Sequence, residues 1–275
     1  MQLFYRSMGA GEPLIILHGL YGSSDNWLSL GRTLSEYHQV YLLDQRNHGR
    51  SPHTEKHNYF QMQADLLAFM DEQGIEKANL LGHSMGGKTA LFFAVTHPER
   101  VHKLVVVDIA PKPYPMLTET SAPTLHHLNI INALYNLDTD SIRSLKEADS
   151  ILAERIPDQK TRQFLLKNLK RDKHGSFKWL LNLHTLRNEL PAILDGLDPA
   201  KDNHDQRVHD YPVLFLKGAL SGYIQAADYQ DILRIFPQAM IKTIEGAGHW
   251  LHAEKRETFL QVVRRFLAHA DVDEQ

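Results

Sequence analysis

Gly82-His83-Ser84-Met85-Gly86 carries the clearest chemical meaning in this chain. The apolar pair Leu80-Leu81 before it reads as the end of a buried strand. The run Lys88 to His97 after it, stopped by Pro98, reads as a helix. A serine at the tip of a sharp strand-to-helix turn is the setting in which G-x-S-x-G means a nucleophile. Gly82 and Gly86 are expected to be small because side chains two before and two after the serine would collide. A serine hydroxyl is a weak nucleophile at neutral pH. It needs a base to take its proton, and the base needs an acceptor to fix its tautomer and steady its charge. His249 is the candidate base: it leaves the glycine-rich turn Gly246-Ala247-Gly248 after a late strand and can project over the strand ends.

The elements that must position these residues alternate. Leu14-Ile15-Ile16-Leu17, Val40-Tyr41-Leu42-Leu43 and Leu104-Val105-Val106-Val107 read as strands buried on both faces. Leu3 to Ser7 reads as an edge strand. Trp27 to Tyr37 and Phe60 to Gln73 read as helices, the first capped within Ser23-Ser24-Asp25 and the second stopped by Gly74. From Pro111 to about Asp210 the rhythm changes. Leu125 to Leu137, Ser141 to Arg155 and Asp158 to Arg171 read as helices, and Phe177 to Leu194 as a further, mostly helical piece. Alternation resumes at Val213-Leu214-Phe215-Leu216, continues through a helix near Ala226 to Phe236 and the strand Ala239 to Ile244, and ends in the helix Ala253 to His269. The expectation is an α/β fold with a mainly parallel sheet flanked by helices, built from 1–110 and 211–275, with 111–210 inserted as a helical cap over the strand ends.

With the histidine last and the nucleophile on an elbow, the chain resembles the α/β-hydrolases over essentially its whole length. Within them it is similar to the small bacterial YbfF-type esterases. The His18-Gly19 turn, the loop Asp44 to Ser51, the Gly82 to Gly87 elbow and the Gly246 to His249 turn carry the resemblance. It implies a carboxylic ester hydrolase with a Ser-His-Asp triad, a small-molecule ester substrate and no cofactor. The usual acid of that superfamily follows the strand before the last one, and there this chain has Ser221, which cannot hold a histidine's charge. Asp108, ending the strand after the elbow helix, can reach behind the histidine because neighbouring strands lie about 4.8 Å apart. Asp228 is the alternative, and a loop cap is the bland role for Asp108. The oxyanion donors implied are the backbone N–H groups of Leu20 and Met85. Their side chains, with Tyr114, are candidates for the substrate pocket. His18 is expected to support the Leu20 turn, as is the loop Asp44 to Ser51, and His252 to pack or cap.

Bulk properties narrow the rest. The 275 residues carry a net charge of −3, which recruits neither nucleic acid nor an anionic membrane. There is no cysteine, which excludes disulfides, thiolate metal sites and a cysteine nucleophile. Seventeen histidines invite a metal, but no His-Glu-x-x-His occurs and pairs such as His126-His127 lack carboxylates at ligand spacing, so no metal is expected. No apolar leader or 18-residue apolar run appears, giving a cytoplasmic protein as the expectation. Arg155, Lys160, Arg162, Lys167, Lys170, Arg171, Lys173 and Lys178 form a basic stretch, read as a solvated face or as an attractor for an anionic leaving group. Two rival functions stay open: hydrolysis of carbon–carbon bonds in diketone-type substrates, and a binding module that kept the fold without the chemistry.

Overall fold

The computed structural model describes residues 1–114, 122–197 and 211–268. The chain opens with β1 (Tyr5–Met8), β2 (Glu12–Leu17), α1 (Leu28–Leu34), β3 (His38–Leu43) and α2 (Tyr59–Glu72). Then come β4 (Ala78–His83), α3 (Met85–Thr96) and β5 (Val101–Val107). An inserted segment holds α4 (Ala122–Tyr135), α5 (Leu145–Ala153), α6 (Gln159–Leu166), the strands β6 (Leu169–Arg171) and β7 (Phe177–Trp179), α7 (Leu183–Asn188) and α8 (Leu190–Leu194). The chain returns through β8 (Val213–Gly218), α9 (Tyr229–Ile235), β9 (Met240–Ile244), α10 (Leu251–Glu254) and α11 (Arg256–Ala268).

Seven strands form one sheet in the order β1-β3-β2-β4-β5-β8-β9. Among the described residues, the β1–β3 pair is the one antiparallel pair of this sheet. Successive residues of a strand face opposite sides, so each central strand feeds two cores. Ile15, Leu80, Val106 and Phe215 join Met70 of α2, Phe93 of α3 and Ile232 of α9. Leu14, Leu81, Val105 and Leu216 join Leu34 of α1 and Phe259 and Val263 of α11. Helices on both faces are why these strands read as unbroken apolar runs. Among the described residues, no helix is long and apolar enough to cross a membrane.

The inserted segment departs from the sequence reading in three places. The helix expected over Asp158 to Arg171 ends at Leu166, and Leu169–Arg171 instead pairs antiparallel with Phe177–Trp179. The reversal is set by Asp172, which accepts the N–H groups of His174 and Ser176, and by Gly175 at φ 88°. Phe177 to Leu194 is therefore a strand followed by two short helices, the second begun at Leu190-Pro191. The helix expected from Ser141 starts at Leu145, because the Ser144 hydroxyl accepts the Glu147 N–H and caps it. The basic stretch is also less uniform than its letters. Arg162 is buried and paired with Asp149 at 2.8 Å, and Lys178 is paired with Asp172 at 3.0 Å. The end of the insertion proposed at residue 210 lies outside the described residues.

Candidate active site

Ser84 stands between β4 and α3 with φ 52° and ψ −117°, a conformation costly for any residue with a Cβ. Its surroundings hold it there. Its N–H donates to Val107 O at 2.9 Å, and its carbonyl accepts the Lys88 N–H at 3.0 Å. A Cβ on Gly82 would fall on the Gly86 carbonyl, and one on Gly86 would fall on the Leu17 carbonyl, so the turn closes only with glycine at both. Met85 begins α3, where an N–H has no partner within its own helix.

Asp108 follows β5 and is fully buried, again at φ 52°. His249 Nδ1 donates to Asp108 Oδ2 at 2.8 Å. The Gly218 N–H donates to Oδ1 at 3.0 Å, and the Ser221 hydroxyl donates to Oδ2. A buried carboxylate is tolerable when its lone pairs are met in this way. With Nδ1 engaged, His249 presents Nε2 as its free ring nitrogen. Asp228 is elsewhere: it accepts Lys112 Nζ at 2.7 Å and the Gln225 N–H at 2.8 Å.

The turn carrying Leu20 is supported from below. Gly22 N–H donates to Gly19 O at 2.9 Å. His18 Nε2 accepts the Gln45 N–H at 3.0 Å, and the Gln45 side-chain amide donates to His18 O at 2.7 Å. His48 Nε2 accepts the Tyr21 N–H at 3.3 Å. His18 and the loop from Asp44 thus serve the turn, as their positions in the sequence suggest. Burial lowers His18 despite Asp44, and burial together with His18 and His57 lowers His48 well below the usual value, so both act as neutral rings. His252 stacks on Trp27 at 4.4 Å and 9°, a packing role.

Ser84, Leu20 and His249 line one cavity of about 240 Å³. The core contributes Tyr21, Trp27, Tyr223 and Trp250; the inserted segment contributes His126, His127 and Ile130 from α4 and Thr161, Phe164 and Leu165 from α6. Two expected pocket residues are not in this wall. The Met85 side chain turns into the core, its sulfur 3.3 Å from His57 Nε2. Tyr114 is buried beside the cavity rather than in it. Its hydroxyl donates to Tyr223 O at 2.5 Å and accepts the Ala110 N–H at 3.1 Å.

Lys88, on the elbow helix, was given no role by the sequence. It is buried, and its Nζ donates to the carbonyls of Leu194, at 3.3 Å, and Asp195, at the end of α8. The ammonium also lies 4.7 Å from the Tyr114 ring centre. Burial pulls it down to about 7.

A strained serine on an elbow, a histidine and a carboxylate at the ends of parallel strands define a class, and the comparisons agree with it. The chain belongs to the α/β hydrolase fold family, whose profile matches residues 12–150. Its relatives include esterases and lipases. The sn-1-specific diacylglycerol lipase ABHD11 of Xenopus laevis is 38% identical, over 94% of this chain and 81% of that one. The esterase YbfF of Escherichia coli is 34% identical, over 93% of this chain. A marine microorganism esterase superposes with a TM-score of 0.92 and 46% identity, covering 96% of this chain and 99% of that one.

Proposed function

We propose that this carboxylic ester hydrolase works through Ser84, His249 and Asp108 by an acyl-enzyme route. His249 Nε2 takes the Ser84 proton as the serine oxygen attacks the ester carbonyl. The N–H groups of Leu20 and Met85 hold the oxyanion. The tetrahedral adduct collapses, and His249 gives its proton to the departing alcohol. Water then enters, loses a proton to His249 and releases the acid, returning the proton to Ser84. The observation that carries this reading is the bond from His249 Nδ1 to a buried, fully bonded Asp108, beside a serine facing the same cavity.

The cavity also speaks for the substrate. A cavity of about 240 Å³, lined mostly by apolar and aromatic side chains, suits short acyl and alcohol groups. Among the described residues of the wall, Glu254 is the one carboxylate and none is a lysine or arginine, so neutral esters are preferred over anionic ones. The inserted segment acts as the cap, since α4 and α6 roof the cavity and Lys88 and Tyr114 pin its base.

The test is a chain-length panel of nitrophenyl esters and acyl thioesters with Ser84→Ala as blank, alongside labelling by a fluorophosphonate. Turnover strongest on short neutral esters and lost in Ser84→Ala is the expected result. Labelling or turnover that survives Ser84→Ala would overturn the mechanism. Faster cleavage of a diketone ring-fission product than of any ester would move the enzyme to the carbon–carbon class.

A further inference from the structure

Between the cap and the two halves of the catalytic apparatus lies one residue, His127 on α4. The Tyr223 ring is stacked on His249, with centroids 3.9 Å apart and planes inclined by 20°. The Tyr223 hydroxyl shares a 2.9 Å hydrogen bond with His127 Nε2. The Tyr223 backbone is fixed as well: its carbonyl accepts the Tyr114 hydroxyl at 2.5 Å, and its N–H donates to Ser221 Oγ at 3.3 Å. On its other side the His127 carbonyl accepts the Tyr21 hydroxyl at 3.3 Å. Tyr21 directly follows Leu20, stands at φ 63°, and has its carbonyl bonded by the Asn168 amide of the cap at 2.7 Å.

We propose that His127 is a positioning residue that couples the seated cap to the reacting groups: its ring holds Tyr223 against His249, and its carbonyl holds the turn that presents Leu20. The inference rests on the roles given above to His249 and Leu20. The physical need is plain. Asp108 fixes only the Nδ1 edge of the His249 ring, and the ring can still tilt about that bond. A flat aromatic face 3.9 Å away removes the tilt, but only if the phenol is itself anchored. Burial, with His126 and His249 nearby, lowers His127 to about 3, so it stays a neutral ring whose Nε2 bonds the phenol in either tautomer. Burial likewise raises the Tyr223 phenol, which keeps its proton and so bonds His127 as a neutral hydroxyl. Both contacts come from the same residue of the cap, so base and oxyanion turn are steadied together.

The experiment uses the full chain with Tyr223→Phe, Tyr223→Leu, His127→Ala, His127→Gln, Tyr21→Phe and the double variant His127→Ala/Tyr223→Phe. Steady-state hydrolysis of a short nitrophenyl ester is paired with proton NMR of the His249 ring. Tyr223→Phe and His127→Ala should each lower kcat about tenfold with KM within about twofold, and the double variant should be no worse than His127→Ala. His127→Gln, whose amide reaches the place of Nε2, should restore most of the loss. Tyr21→Phe should lower kcat about threefold, and Tyr223→Leu about a hundredfold. In Tyr223→Leu the His249 ring protons should also lose the upfield shift imposed by the stacked phenol. Effects of the two single variants that multiply, a change confined to KM, or unmoved His249 resonances would overturn the coupling through Tyr223. An unchanged kcat in Tyr21→Phe would overturn the second arm. The NMR readout needs no turnover, so it decides the coupling even if the Ser84→Ala control removes the ester reading. Tyr223→Phe is nearly isosteric and keeps the test open if the larger truncations fail to fold.

Discussion

Strands β5 and β8 lie side by side, and their carboxyl ends contribute opposite halves of one interaction. The β5 end supplies the acceptor, Asp108, held at φ 52° so that its carboxylate turns across the sheet. The β8 end supplies donors, the Gly218 N–H and the Ser221 hydroxyl, aimed at that same carboxylate. On the proposed mechanism, the difference teaches that the requirement is a negative charge at one point in space behind His249. Here the β5 end delivers it, and the β8 end is the cradle that holds it.

The sharpest way to break the comparison is to remove the charge. Asp108→Asn should lower kcat by about ten-thousandfold, since it spoils the tautomer and leaves the imidazolium unsteadied. Adding Ser221→Asp to that variant should recover at least about tenfold, because the new carboxylate approaches the same point from β8. Ester hydrolysis measured for both, with circular dichroism to verify folding, decides it. An active Asp108→Asn would mean that the β5 end is structural.

A second contrast surrounds the first. His83, His249 and His252 sit together, with ring centroids 4.7 Å apart for His83–His249 and 4.5 Å for His83–His252. Of the three, His249 is the one bonded to a carboxylate. Burial and the neighbouring His249 lower His252 to about 3, and burial beside Arg46 and His18 does the same to His57. Unfolded histidines bind a proton near 6.5. Between that value and about 3 the unfolded chain therefore holds protons that the native chain lacks. Stability is full above pH 6.5 and falls as the pH drops, by about 1.4 kcal/mol per pH unit for each such histidine, or about 2 kcal/mol each at pH 5. Urea midpoints between pH 4 and 8 should show this slope, and His252→Phe should lessen it. A flat profile would mean that these rings are protonated in the native state.

Ser221→Ala removes a donor to the carboxylate while leaving the charge. It should cost about tenfold in kcat with little change in KM, the scale of one hydrogen bond to an ionised group. A loss as large as that of Asp108→Asn would make the β8 end an equal partner rather than a support.

How much of this could be read from the letters differs between the sheet core and the inserted segment. The elbow was legible because its G-x-S-x-G spacing is local: Gly82 is forced by the Gly86 carbonyl four residues on, whereas the contact that forces Gly86, the Leu17 carbonyl of β2, leaves no local sign. His249 and Asp108 stood out as polar residues just after late strands, but adjacency of strands does not join them: β8 lies between β5 and β9, and their side chains meet across its end. The partners of Asp108 were not: Ser221 looked like a lost acid, since a serine 113 positions away gives no local sign of where its hydroxyl points. Lys88 carries no mark of burial, because a lysine on a helix has the same letter whether it meets water or two carbonyls. The β6–β7 hairpin was missed because three residues per strand show too little alternation to outweigh helix-forming neighbours. Its turn, Asp172 to Gly175, was the usable signal. Tyr223 and His127 belong to the same class of omission, long-range contacts with no periodicity of their own.

The smallest effect is expected at Asp228, the rival acid, and it sharpens the contrast from the other side. This carboxylate is nearly as buried as Asp108, and it follows the same β8 end as Ser221. Yet its partners are Lys112, at the start of the cap connection, and the Gln225 N–H that opens the turn before α9. Lys112 is one-third exposed, so solvent screens the pair. Asp228→Asn keeps an oxygen for the Gln225 N–H and gives up only the screened attraction, a loss of about 1 kcal/mol in a denaturant titration with kcat within about twofold. If turnover instead falls with Asp228→Asn and survives Asp108→Asn, the two carboxylates have exchanged roles, and burial near the site has been mistaken for contact with the histidine. Distance is what separates them: one oxygen lies 2.8 Å from the imidazole, and the other carboxylate spends its lone pairs on a lysine and a backbone amide.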